Sequence, residues 1–125
     1  MNCKDLTICD YIKHNGTIKI VDAVYLYSVS VYDPGKPWGA ASSELISVDD
    51  IEPIKLTEEI LVKNGFKKVN MTVDGDYRHY HLHGVCISWE EQSGFWYGEG
   101  DIEFKYVHQL QHLLRLCGID MELTI

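Results

Sequence analysis

Wound at about 100° per residue, Tyr106, Val107, Leu110, Leu113, Leu114 and Cys117 fall on one arc of residues 104–118, FKYVHQLQHLLRLCG. His108, Gln111, His112 and Arg115 fall on the opposite side. This period predicts the one long helix of the chain, its apolar stripe laid on a sheet. Cys117, at the end of that stripe, reads as core.

Elsewhere the pattern is mostly strand-like. Asn15-Gly16 separates two alternating segments, a hairpin signal because both residues accept the positive φ of a type I′ turn. Tyr11, Ile18 and Ile20 then share the expected core face. Residues 23–32, AVYLYSVSVY, read as one long central strand, with Tyr25, Tyr27, Val29 and Val31 on one face. Residues 33–43, DPGKPWGAASS, break it with two prolines and two glycines. A strand resumes over 44–48, and residues 49–56 read as a connector.

Thr57 is the expected N-cap of a short helix, with Glu58 and Glu59 at the positive end of its dipole. Asn64-Gly65 ends it, glycine taking the left-handed position. Strands follow over 66–73, 77–83 and 85–89, with a turn at Asp74-Gly75-Asp76. Residues 90–100, EEQSGFWYGEG, read as a loop or distorted hairpin with an aromatic centre, and 101–105 as a last strand. The tail, 119–125, reads as an edge strand or a loose surface segment.

The pattern predicts an α+β protein. It comprises an N-terminal SH3-like small β-barrel unit over residues 1–50, then a helix–β-meander–helix unit over 51–125.

Composition changes this picture little. A chain of 125 residues, 46% hydrophobic and 24% charged, folds around its own core without metal or disulfide. Its net charge of −8 argues against nucleic-acid binding. No run of about 18 apolar residues predicts a membrane span, and the start, MNCKDLTICDYIKH, lacks the apolar core of a secretory signal. Cys3, Cys9, Cys86 and Cys117 show no CxxC spacing and read as reduced thiols of a cytoplasm.

Three stretches carry a resemblance. They are DLTICDYI at 5–12 followed by Asn15-Gly16, IEPIKLTEEIL at 51–61 with Asn64-Gly65-Phe66, and Tyr106-Val107-His108-Gln109-Leu110-Gln111. In order and spacing the chain resembles a group of small uncharacterised proteins of Bacteroidetes genomes, their prophages and gut phages. It departs from that group at Cys9, where glycine is usual, and at His112, where asparagine is usual. The resemblance implies a phage or mobile-element origin and a bacterial host cytoplasm. It brings no activity with it.

Two sets of residues carry candidate chemistry. His79, His81 and His83 stand at i, i+2 and i+4 on one strand, with roughly 6.5–7 Å per two-residue step. His108 and His112 stand at i, i+4 on the helix, the spacing that places two imidazoles on one metal. Against a metal site, the helical pair lies opposite the apolar arc and residue 109 is glutamine, so no HExxH occurs. Cys86 stands three residues from His83, without any nucleophile motif around it.

The aromatic segments form the second set. Trp38 in DPGKPWGAASS, and Phe95, Trp96 and Tyr97 in EQSGFWYGEG, offer contact area with little rotamer entropy to lose. They would either touch a ligand or fold back to plug the ends of a barrel too small to close itself. His108, Gln111 and Arg115 form a candidate polar contact surface on the helix.

The reading favoured by the residues is a non-enzymatic binding or accessory protein without a cofactor. Its partner is a protein or small molecule, such as a host defence factor or its nucleotide signal. The other classes are a metal-dependent enzyme using the histidines and a phage structural or assembly subunit, with homo-oligomer formation open.

Overall fold

The computed structural model describes residues 5–35, 43–70, 77–97 and 102–125. The fold is α+β, and the chain divides into two compact units, residues 1–54 and 55–125.

The first unit is an antiparallel sheet of β1 (Tyr11–His14), β2 (Thr17–Val24), β3 (Ser28–Tyr32), β4 (Glu44–Ser47) and β5 (Ile51–Pro53). Their order is β4-β3-β2-β1-β5, so β4 and β5 are edges and the strands do not close into a barrel. The Asn15-Gly16 turn forms as the sequence predicts, with φ 51° and 76° and His14 opposite Thr17.

Several expectations are corrected in this unit. Residues 23–32 are not one strand: the chain reverses at Tyr25-Leu26-Tyr27, closed by a Tyr25 N–H bond to the Ser28 carbonyl at 2.9 Å. Nothing in YLYS carries the Gly, Asn or Pro that marks a turn. A register shift between Val21 and Ala23 adds twist before the reversal. Residues 49–56 also hold a strand, β5, which pairs with β1 and ends on Pro53, a residue tolerated at a sheet edge. The buried cluster is Leu6, Ile12, Val21, Val29, Val31, Ile46 and Ile51, on the face opposite Tyr11, Ile18 and Ile20, where the core was expected; Tyr11 and Ile20 are buried too, Ile18 only half.

The second unit has α1 (Glu58–Lys63), β6 (Lys67–Asn70), β7 (Tyr77–Leu82), β8 (Val85–Glu90), β9 (Gly94–Tyr97), β10 (Ile102–Phe104) and α2 (Val107–Leu116). The strands form an antiparallel meander in chain order. Thr57 caps α1 by accepting the Ile60 N–H at 3.3 Å, and Gly65 follows with φ 92°. Both follow from the sequence. Of the two expectations for residues 90–100, a loop or a distorted hairpin, the described part is a hairpin: residues 94–97 are strand β9, paired with β8 and β10.

One face of this sheet is core. Tyr80 opposes Ile87, Leu82 opposes Val85, and Trp89, Phe95 and Phe104 stand in one row across β8, β9 and β10. Tyr80, Val85, Ile87, Phe95 and Phe104 are buried. Glu58 of α1 pairs with Lys68 and Arg78, which share this face, so α1 lies over it. In α2, Val107, Leu110, Leu113 and Leu114 are buried.

The expected solvent face of α2 is corrected. His108 and Gln111 are buried, at 3% and 7% exposure, whereas Arg115 is exposed. The N-terminal half of α2 is enclosed over a wider arc than its apolar stripe, so polar side chains there lose solvent too. Cys117, expected in the core, is exposed because it is the C-cap, where the helix ends. The tail forms no strand, yet Leu123 is buried.

Candidate functional site

The opposite face of the β6–β10 sheet collects the chemistry. Strand alternation puts Tyr77, His79 and His81 on this side of β7, away from Arg78, Tyr80 and Leu82. Register then places Glu90, Ser88 and Cys86 of β8 opposite them. On β9, Trp96 stands opposite Ser88, and Glu103 of β10 stands opposite Trp96.

The rings touch. Tyr77 meets His79 edge-on with centroids 5.0 Å apart and meets Trp96 at 5.7 Å. His79 and His81 lie 6.0 Å apart. Beneath them, the Ser88 hydroxyl lies 2.9 Å from His79 Nδ1. The Cys86 sulfur lies 3.4 Å from that atom and 3.9 Å from His81 Nε2. His81 is exposed, Tyr77, His79, Cys86 and Trp96 are half-buried, and Ser88 is buried.

Register also puts the charged Lys67 of β6, Glu90 of β8 and Glu103 of β10 on this face. Burial, and then the neighbouring His81, hold the His79 imidazole below its ordinary value. Burial pushes the Cys86 thiol up, against the hydrogen bond from Ser88. A nucleophilic cysteine needs the reverse arrangement, a thiolate beside an imidazolium. The face therefore offers aromatic stacking area with hydrogen-bonding edges rather than an activated thiol.

The sequence candidates separate accordingly. His79, His81 and Trp96 come together, although they were singled out for different chemistry. His83 leaves the row: with φ 46° it forms the turn with Gly84, φ 84°, between Leu82 and Val85. Phe95 and Tyr97 stand on the opposite face from Trp96, and Phe95 is buried. Phe95 is thus core material. Trp38 lies outside the described residues.

His108 and His112 remain together on α2, ring centroids 5.7 Å apart, and Tyr106 stacks on His108 at 5.8 Å. Among the described residues, no three His, Cys, Asp or Glu side chains converge as ligands for a metal ion. No helix among them is long and apolar enough to cross a membrane.

Tyr77 and Ser88 were missed at the sequence level. The signal for Tyr77 was present: the two-residue period of His79 and His81 extends back to it as well as forward to His83. Ser88 is placed by β8 register alone. Comparison with protein-family models, with curated proteins and with solved structures finds no match to this chain.

Proposed function

We propose that this chain is a non-enzymatic binding or accessory protein whose contact surface is the Tyr77–His79–His81–Trp96 face of its second sheet. The observation that carries the reading is the convergence of four rings, from two strands, on one partly exposed face. Rigid strands hold the rings in place, so little side-chain entropy is lost when a flat partner surface covers them.

The neutral His79 and the exposed His81 add hydrogen-bonding edges that would orient such a partner. The three resembling stretches suggest a phage or mobile-element origin and a bacterial cytoplasm as the setting. A host defence factor or its nucleotide signal is the partner class this origin favours. The N-terminal unit, proposed as SH3-like, is not required for that contact.

The test is affinity capture from a host lysate with native protein, Tyr77→Ala, Trp96→Ala and Leu45→Ala, the last an exposed residue of the other sheet. Partners held by the native chain and by Leu45→Ala should be lost from the other two variants at unchanged melting temperature. Identical capture by all four chains would defeat the proposal.

A further inference from the structure

The buried face of the same sheet ends in a second feature. The row Trp89–Phe95–Phe104 runs across three strands, and Arg78 on β7 extends it, its guanidinium 4.3 Å from the centroid of the Trp89 ring. Beside the row, Lys55 and Tyr106 form an isolated antiparallel bridge, and the Leu56 N–H donates to the Lys105 carbonyl at 2.9 Å. Gln109 Oε1 accepts from the N–H groups of Lys105, at 2.7 Å, and Tyr106, at 3.0 Å. The backbone carrying Lys105 and Tyr106 is therefore fixed from both sides.

Between the row and the bridge lies an open cavity of about 380 Å³. Its lining is mainly aromatic and aliphatic, from Leu56, Trp89, Phe95, Phe104 and Tyr106, and includes the exposed Lys55 and Lys105. Gly94 also borders it; with φ 73°, a Cβ there would meet open space.

The charge is unusual for this chain. Acidic residues outnumber Lys and Arg 19 to 11, yet neither Lys55 nor Lys105 forms an ion pair among the described residues. By contrast, Lys19, Lys68 and Arg78 all do. Two cations without carboxylate partners among the described residues, beside an aromatic cavity, are electrostatically complementary to an anion.

We propose that this cavity binds a small organic anion, a flat ring carrying a carboxylate or a phosphate. The ring packs against Trp89 and Tyr106, and the anionic group is held by Lys55 and Lys105. The volume falls at the lower end of ligand sites, enough for one or two fused rings. This site is on the opposite face from Tyr77 and Trp96 and shares no residue with them, so either can fail without the other.

The experiment is calorimetric titration of the intact chain with 1-naphthoate and with adenosine monophosphate, each against its neutral counterpart, 1-naphthamide and adenosine. At least one anion should bind about tenfold tighter than its neutral partner or better, the effect of a charge-assisted contact. Preference between the two anions distinguishes a carboxylate ligand from a phosphate one. Lys55→Gln with Lys105→Gln should remove the preference, and Lys63→Gln, at an exposed position of α1, should leave it intact.

In the native chain, amide NMR shifts on titration should centre on Leu56, Gly94, Lys105 and Tyr106. The proposal is overturned by equal affinity for anion and neutral form, by no binding of either anion at millimolar concentration, or by shifts centred elsewhere.

Discussion

Asn64 holds Thr124 through both ends of its amide. Nδ2 donates to the Thr124 carbonyl at 2.8 Å, and Oδ1 accepts the Thr124 N–H at 2.6 Å. The same Nδ2 donates to the Ile60 carbonyl at 2.8 Å. One side chain at the end of α1 thus binds a tail 60 residues away in sequence, beside the buried Leu123. Asn64→Ala should lower unfolding stability by about 2 kcal/mol or more, because backbone groups lose partners while half-buried. Asn64→Asp should be no better, since a carboxylate would face two carbonyls. Urea denaturation measures both, and a loss below about 0.5 kcal/mol would show that the tail is not held this way.

Cys9 occupies a left-handed backbone conformation, φ 74°, which glycine adopts without strain. Its N–H is bonded to the Val21 carbonyl at 2.7 Å, so the segment is held there by the β2 strand. Cys9→Gly should stabilise the chain by about 0.5–1 kcal/mol, the relief of strain exceeding the added freedom of the unfolded chain. Cys9→Val should destabilise it. A Gly variant less stable than native would show that the cysteine side chain contributes more than its strain costs.

His79 gives the fold a pH dependence. Its folded value is held below the ordinary 6.5, so the unfolded chain takes up the proton first as pH falls. Its share of stability is complete above the ordinary value and declines as pH drops below it. Native protein should therefore lose stability from about pH 7 to about pH 5 more steeply than His79→Gln. Parallel curves for the two proteins would remove His79 as the cause.

Glu58 acts in the opposite sense. The Lys68 ammonium bonded to it, aided by the charge of Arg78, holds its carboxyl below the ordinary value against the effect of burial. That contribution is present above the ordinary carboxyl value and lost as pH falls through the lowered one. Glu58→Gln should cost about 0–1 kcal/mol at neutral pH, because the pair is partly solvated. It should also flatten the acid limb of the stability curve. A loss of several kcal/mol would mean that Glu58 holds α1 to the sheet by more than its ion pairs.

Legibility followed the range of the interactions. The Asn15-Gly16 hairpin, the Thr57 cap and the Gly65 stop were readable because each is decided within a few residues by φ preference or a local hydrogen bond. The reversal at Tyr25-Leu26-Tyr27 was not, since no residue there requires a turn and the cross-strand pairing of Val24 with Val29 decides it. Strand β5 was missed because three residues carry too little pattern and acquire their structure only by pairing with β1. The candidate face was half-readable: alternation put His79 and His81 on one side, but register brought in Trp96, Tyr77 and Ser88.

By itself the sequence determined the α+β class, the strand-rich composition, the apolar arc of α2 and the acidic balance. These depend on periodicity and charge, which are properties of the chain read locally. Only the tertiary structure decided that β5 pairs with β1, that His108 and Gln111 are enclosed, and that Phe95 and Trp96 serve opposite faces of one sheet. It also decided that Lys55 and Lys105, fifty positions apart in the numbering, line one cavity. Each of these is a meeting of residues distant in sequence, and it is packing and register, not local preference, that select such meetings.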